Sequence, residues 1–242
     1  MLSFFHSIVY QPLYNILIFL YNVVPGKDFG VSIILITVLL RTILIPLYKK
    51  QIESQKKLQE LQPKIKALQE KTKNDKEQQT KQLMELYKEN KTNPFSGCLP
   101  LIVQLVFLIA IYRVLITISS NGLTVDASQL YSFVANPDKI NQLFLSFVDL
   151  TKPNYIIAAL AALAQYFQTK MLMSQQPTPA TSTDDSGKPD IAQMMNKQML
   201  YLGPFLTLFI GIKFPAGLSL YWLAGTLFML VQQVLMQRKS SN

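Results

Sequence analysis

"FGVSIILITVLLRTILIPLY", residues 29–48, is a largely apolar stretch that contains one permanent charge, Arg41. About 20 apolar residues form an α-helix long enough to cross the hydrocarbon core of a bilayer. An arginine at the centre of such a helix costs roughly 2.5–3.5 kcal/mol on insertion scales, so a partner or access to water is needed to offset it. The stretch therefore predicts a membrane-spanning helix whose charge has a function.

The rest of the chain repeats this pattern of apolar blocks separated by charged or Pro/Ser/Thr-rich segments. Half of its 242 residues are hydrophobic and 15% are charged, and the mean hydropathy is +0.22. This distribution is typical of an integral membrane protein rather than of a water-soluble domain. We predict an all-α polytopic membrane protein with five transmembrane helices. The predicted spans are 28–48, 93–118, 154–173, 197–213 and 214–237.

Two of the remaining segments have a helical pattern of their own. In residues 1–27 polar side chains recur at every fourth position, which predicts an amphipathic helix in the outside interface, with a sixth span or a cleaved signal peptide as alternatives. Residues 49–92 predict a cytoplasmic Lys-rich helical hairpin that turns near Thr72–Asp75. The other predicted segments are an outside loop at 119–153 with a short membrane-surface helix at 143–150, a flexible cytoplasmic loop at 174–196 and a cytoplasmic tail at 238–242.

The basic residues are distributed unevenly between the two sides. The segments 49–92 and 170–197 and the tail together hold 17 of them, against 4 on the opposite side. By the positive-inside rule we expect the N-terminus outside and the C-terminus in the cytoplasm of a multi-pass bacterial plasma membrane protein. The hairpin carries twelve Lys against seven acidic residues. It predicts either a solvated face that fixes topology or a dock for anionic lipids or ribosomal RNA, without sequence-specific reading of nucleic acid. The lysines proposed for the dock are Lys56, Lys57, Lys64, Lys66, Lys71, Lys73 and Lys76.

Arg41 has no counter-ion within any predicted span, because 13 of the 14 acidic residues lie in the segments between the spans and Asp28 is the first residue of the first span. One interpretation is that its side chain reaches the nearer membrane surface and the charge is incidental. The other is a hydrophilic groove, open to the cytoplasm, in which a guest supplies the partner of Arg41. The residues predicted to line this groove are Arg41, Thr37, Gln104, Gln165, Gln168, Thr226, Gln232 and Gln233. Tyr221 and Trp222 predict either aromatic anchors at the interface or part of the client path.

Other kinds of chemistry have little support in the sequence. Apart from Asp28 at the edge of the first one, the predicted spans lack titratable acids, the only histidine is His6 and the only cysteine is Cys98. We therefore expect no catalytic residues, no metal site and no cofactor, and we do not expect an enzyme. The absence of acids within the spans also weighs against a proton-coupled transporter. A channel or solute transporter that uses the same groove, and a helix-packing assembly factor, remain the alternative functions.

Several short motifs occur in a characteristic order. They are "RTILIPL" at 41–47, "LQPKI" at 61–65, "NPFSGCLPLIVQ" at 93–104 and "FPAGLSLYW" at 214–222. Together they resemble the YidC family of membrane-protein insertases, in the bacterial form without a large outside domain. The resemblance implies a five-span core with a groove in which Arg41 receives the polar segment of a client. It also implies nascent membrane proteins, the Sec translocon and the ribosome as partners. Thr226 stands where the family usually has Asn, and Val106 where Pro is frequent.

Overall fold

The computed structural model describes residues 2–72, 75–90, 92, 99–174 and 191–240. In this part of the chain the fold is all-α, apart from one small β-hairpin. The helices are α1 (Leu2–Phe5), α2 (Gln11–Val23), α3 (Phe29–Ile43), α4 (Ile45–Glu60), α5 (Gln62–Lys71), α6 (Lys76–Glu89), α7 (Leu99–Ser120), α8 (Tyr155–Ser174), α9 (Ile191–Lys213) and α10 (Ala216–Ser240). A π-helical turn, His6–Tyr10, joins α1 to α2, and the hairpin strands are β1 (Leu143–Phe144) and β2 (Val148–Asp149).

Several helices are long and apolar enough to cross a membrane. Within the described residues, α7, α8 and α10 meet this criterion singly, and α3 with the start of α4 meets it as a bent pair. The apolar part of α9, Leu200–Lys213, is shorter. These elements agree with an all-α polytopic fold, while the bounds of the individual spans stay a prediction.

The first predicted span is not one straight helix. The sequence predicted a continuous helix over 28–48, but α3 ends at Ile43, and α4 begins at Ile45 with its axis turned by 56°. Pro46 provides the physical reason, because it has no N–H to donate to the carbonyl of Thr42 and its ring crowds that carbonyl. The chain therefore changes direction three residues after Arg41.

Helix α10 lies at the centre of the bundle and contacts α3, α7, α8 and α9. Helices α8 and α9 also pack closely on each other. At Gly211 of α9, an added Cβ would lie 2.6 Å from the Cβ of Ala158 on α8. The small residues of α8 thus allow close helix packing within the protein itself.

Helix α2 packs on α3 and α7. Asn15, one of the polar residues that recur along this helix, is buried, since only 2% of the residue is exposed. Its Nδ2 donates to the carbonyl of Gln129 over 2.8 Å, and its Oδ1 accepts from the backbone N–H of Tyr131. The reason is that Asn15 satisfies backbone groups of the loop after α7, which a buried loop needs.

The short helix predicted at 143–150 is a β-hairpin instead. Phe144 pairs with Val148, and the turn between them has positive φ at Leu145 (50°) and Ser146 (69°). Two successive residues with left-handed backbone cannot continue a right-handed helix. The turn is held by Asp28, whose Oδ2 accepts from the N–H of Leu145 over 2.7 Å while its Oδ1 caps α3.

The predicted hairpin of residues 49–92 contains α5 and α6, which pack on each other. Helix α5 ends at Lys71, and α6 begins at Lys76 behind an N-cap at Asp75, whose carboxylate accepts from two backbone N–H groups. The flexible loop was expected to extend to residue 196, but α9 already begins at Ile191. Ala, Gln and Met, which favour helix, explain the longer helix. Similarly, α10 continues through the first residues of the predicted tail to Ser240.

Candidate functional site

The guanidinium of Arg41 lies where three helices meet. Its Nη2 donates a hydrogen bond to Oε1 of Gln104 on α7. It also lies against α10 at Gly225, where an added Cβ would be 3.0 Å from Nη2 and 3.2 Å from Nε. Gly225 is therefore a site residue that sequence reasoning missed. Its signal in the sequence is weak, because glycine is frequent in membrane helices and serves mostly for helix packing there.

The charge of Arg41 has no carboxylate partner among the described residues. Its hydrogen-bond acceptor, Gln104, is a neutral amide. The ion pair found in the described ranges joins Lys152 to Asp149 in the loop before α8. Tyr48 and Tyr221 are close enough to interact electrostatically with the guanidinium, yet neither is an anion at neutral pH. The site thus fixes the position of the charge without neutralising it.

A small recess of about 30 Å³ lies beside the guanidinium. A cavity needs about 10–15 Å³ of such volume for one water, so this one has room for about two. Its walls come from both sides of the bend after α3, as well as from α7 and α10. They are formed by Arg41, Leu44, Leu47, Tyr48, Gln51, Val103, Met229 and Gln232. The bend turns α4 into one wall and brings Gln51, which was not predicted from the sequence, next to the charge.

Three of the predicted groove residues form a cluster between α8 and α10 that adjoins the recess at Met229. Gln165 accepts a hydrogen bond from Nε1 of Trp222 over 3.2 Å and one from Thr226 over 3.4 Å. Gln168 donates to the sulfur of Met229. These bonds join two helices within the protein. Tyr221 is 3% exposed, which excludes a lipid-facing anchor at this position.

The remaining predicted groove residues are buried. Thr37 is fully buried, and its hydroxyl donates to the carbonyl of Ile33 one turn earlier in the same helix. Gln233 is 2% exposed, and neither its Oε1 nor its Nε2 has a hydrogen-bond partner among the described residues. Within the same part of the chain, Nε2 of Gln232, in the recess wall, is also without a partner. Each buried polar atom without a partner costs about 1–3 kcal/mol, so this end of α10 favours the entry of water or of a polar ligand.

The predicted groove therefore divides into parts. Arg41, Gln104 and Gln232 lie together at the recess, whereas Gln165 and Thr226 belong to the α8–α10 cluster. Gln168 joins the cluster to the recess wall at Met229. In the predicted lysine dock the side chains that the structure describes are exposed, namely Lys57, Lys64, Lys71 and Lys76. Lys73 and the side chains of Lys56 and Lys66 lie outside the described residues, as do residues 93–98 of the "NPFSGC" motif. The dock stays a prediction.

The described residues contain no group of three or more His, Cys, Asp or Glu side chains that could hold a metal ion. The arrangement around Arg41 can hold a positive charge beside a neutral acceptor and a recess with room for water. It can attract an anionic or strongly dipolar guest.

Comparison with known proteins identifies a family that the chain resembles. Residues 19–242 match the profile of the family described as 60Kd inner membrane protein. The membrane protein insertase YidC of Fusobacterium nucleatum subsp. nucleatum is 34% identical over 237 residues, which are 97% of this chain and 100% of that protein.

Two further relatives are longer than the chain. The membrane protein insertase YidC of Streptomyces avermitilis is 32% identical over 231 residues, which cover 89% of this chain and 52% of that protein. The protein of the same name from Oceanobacillus iheyensis is 33% identical over 220 residues, covering 88% of this chain and 76% of that protein. The similarity thus extends over most of this chain in each comparison.

Proposed function

The chain belongs to the 60Kd inner membrane protein family, which includes proteins named membrane protein insertase YidC, and on this premise we propose that it inserts client proteins into a bacterial membrane. We further propose that it moves a short hydrophilic segment of the client across the bilayer by way of Arg41 and releases the client's apolar helix into lipid. Nascent membrane proteins are then its clients.

The observation that carries this proposal is the charge of Arg41, which is held by a neutral amide beside a recess with room for water. A client carboxylate or backbone carbonyl that enters the recess replaces water as the partner of the guanidinium. Each carboxylate costs a few kcal/mol in the hydrocarbon core, and an opposite charge nearby lowers that cost. The unpartnered amide atoms of Gln232 and Gln233 offer further hydrogen bonds to the same segment.

The client's own apolar helix supplies the driving force. Burial of about 20 apolar residues releases far more free energy than the transfer of a short tail requires, so no ATP is needed. A membrane potential that is positive outside adds about 2.3 kcal/mol per negative charge per 100 mV. Exposed apolar side chains along α8 and α10, such as Leu163, Phe167 and Val231, give the client helix a surface that continues into lipid.

The topology and the other partners belong to the same proposal. We infer an outside N-terminus and a cytoplasmic C-terminus from the distribution of basic residues. The exposed lysines of α5 and α6 support a dock for anionic lipids or the ribosome. Cooperation with the Sec translocon rests on the family resemblance alone.

The test is insertion of one client with a short N-terminal tail into proteoliposomes, scored by protection of the tail from protease. We expect Arg41→Lys to retain part of the activity, because charge matters more than bidentate geometry, and Arg41→Glu to abolish insertion of clients with acidic tails. Lys213→Gln, which removes one exposed charge at the end of α9, serves as the control. Unchanged insertion of every client by Arg41→Glu contradicts the proposal.

A further inference from the structure

A second cavity, of about 440 Å³, lies at the opposite end of α7 from the Gln104 contact. Its walls are the π-helical turn near the N-terminus, the last turns of α7 and the loop that follows α7. Arg113, Asp126 and Gln129 are among the lining residues. None of them contributes to the recess at Arg41, so the two cavities are separate sites.

The first feature of this cavity is an arginine without an anionic partner. Arg113 is exposed, and its guanidinium carbon lies 5.5 Å from the ring centre of Phe5. Among the described residues no carboxylate lies within ion-pair distance of Arg113. The ion pair found in that part of the chain joins Lys152 to Asp149. Arg113 is seven residues before the end of α7, which is about 10 Å along the axis. At this depth in an apolar helix a guanidinium favours an anion, and phosphate matches its planar fork.

The second feature is a pair of acceptors in the part of the wall formed by the loop after α7. Asp126 uses Oδ1 to accept from the N–H and the hydroxyl of Ser128, over 3.0 and 2.6 Å. Gln129 places its Oε1 in a buried position where no described residue forms a hydrogen bond with it. The carboxylate and the unpartnered carbonyl oxygen are both hydrogen-bond acceptors, so they match a cationic group with several N–H donors. The cavity therefore presents a positive and a negative side at once.

The third feature is an apolar path that leaves the cavity along α7. Ile116 lines the cavity and is 40% exposed, and Ile109, two turns earlier on the same face, is 46% exposed. An acyl chain lying on this face would continue directly from a headgroup in the cavity. A free phosphate ion would make no use of it.

We propose that this cavity binds a phospholipid whose headgroup contains both a phosphate and a primary ammonium, of the phosphoethanolamine type. The phosphate contacts Arg113, the ammonium contacts Asp126 and Gln129, and an acyl chain lies along Ile116 and Ile109. A purely anionic headgroup would meet the carboxylate of Asp126, and a choline headgroup has no N–H to donate to Gln129. The site thus favours phosphatidylethanolamine over phosphatidylglycerol and phosphatidylcholine.

The test is native mass spectrometry of the purified full chain in detergent with equal amounts of these three lipids. We expect phosphatidylethanolamine to remain bound preferentially. Arg113→Gln should reduce its occupancy by about tenfold, the effect of one hydrogen bond to a charged group. Asp126→Asn keeps an Oδ1 to cap Ser128, so the loop remains folded, and it should remove the preference over phosphatidylcholine. Lys139→Gln, the same charge loss at an exposed residue of the same loop region, should change nothing.

Competition separates a lipid site from a site for a free anion. Soluble glycerophosphoethanolamine should displace the lipid only at concentrations far above those of the lipid itself, because it lacks the chain on α7. If inorganic phosphate displaces the bound lipid as effectively as soluble glycerophosphoethanolamine does, the proposal is overturned. Equal retention of the three lipids by the wild type, or unchanged occupancy in an Arg113→Gln variant that retains its thermal transition, also overturns it.

Discussion

Replacing Gln104 by Glu tests whether the charge of Arg41 works because it lacks an anionic partner. The side chains have nearly the same shape, and Gln104 already accepts a hydrogen bond from Nη2 of Arg41. A carboxylate there attracts the guanidinium by about 4 kcal/mol at 4 Å and an effective dielectric constant of 20. Its own desolvation costs several kcal/mol, so the stability of the protein should change little.

The effect on function should be much larger than the effect on stability. In Gln104→Glu, an acidic client tail meets a neutralised pair and a repelling carboxylate instead of a free cation. Loss of even 1.4 kcal/mol from the transition state for tail transfer lowers the rate tenfold, so we expect the insertion of acidic-tailed clients to fall by at least about tenfold. Clients with neutral tails should be affected less, because they depend on dipolar contacts only.

The assay compares initial insertion rates for one client with acidic, neutral and basic tails in proteoliposomes. Gln198→Glu, the same substitution at an exposed position of α9, controls for the added negative charge. A thermal melt in detergent shows that both variants are folded. If Gln104→Glu is folded and inserts acidic-tailed clients at the wild-type rate, the reasoning about an unpaired charge is refuted.

Three further predictions use other contacts of the described residues. Gly225→Leu places a side chain where the guanidinium packs, 3.0 Å from the position of a Cβ, and should lower insertion as Arg41→Gln does, with no further loss in the double variant. Gln165→Leu removes the acceptor of the indole N–H, so the fluorescence of Trp222, the single tryptophan, should shift to shorter wavelength. Burial alone would raise the pKa of Asp149, but hydrogen bonds from Thr151 and its neighbour Lys152 lower that pKa below its ordinary value. The carboxylate therefore stabilises the loop above about pH 4 and this contribution is lost as the pH falls further, which hydrogen exchange of the Thr151 amide should detect in the wild type and not in Asp149→Asn.

The sequence could predict those features of the site that depend only on which residues lie within a span. The polar residues Arg41 and Gln104 stand out against apolar neighbours, and the lack of acids in the spans is visible without a structure. The bend after Ile43 could not be predicted, although Pro46 is visible, because proline in a membrane helix has several outcomes that neighbouring helices decide. The recess depends on that bend, so its wall residue Gln51 was missed as well.

Long-range contacts account for the other differences. The composition of "LFLSFVDL" is compatible with a helix, and the hairpin forms there because Asp28, 117 residues earlier, binds the turn at Leu145. The buried position of Asn15 likewise depends on backbone groups of the loop after α7. Propensity carries no information about partners so distant in the chain.

The position of Arg41 in its helix limits how the charge can act. From Phe29 to Arg41 the helix rises about 18 Å, whereas Arg41 is only three residues, or about 4.5 Å, from the bend at Leu44. In the proposed mechanism the recess therefore lowers the transfer cost of a client segment that enters from the side of the bend. It does not lower that cost along the remaining length of α3, from Arg41 to Phe29. An extended chain covers about 3.3–3.6 Å per residue, so a tail of five or six residues reaches from the guanidinium to the far end of α3. Each additional polar residue beyond that length adds a transfer cost that a single charge cannot offset. On the proposed mechanism, a site of this geometry favours short tails, and the membrane potential has its greatest effect on the acidic ones, because it acts on them over the distance that Arg41 does not serve.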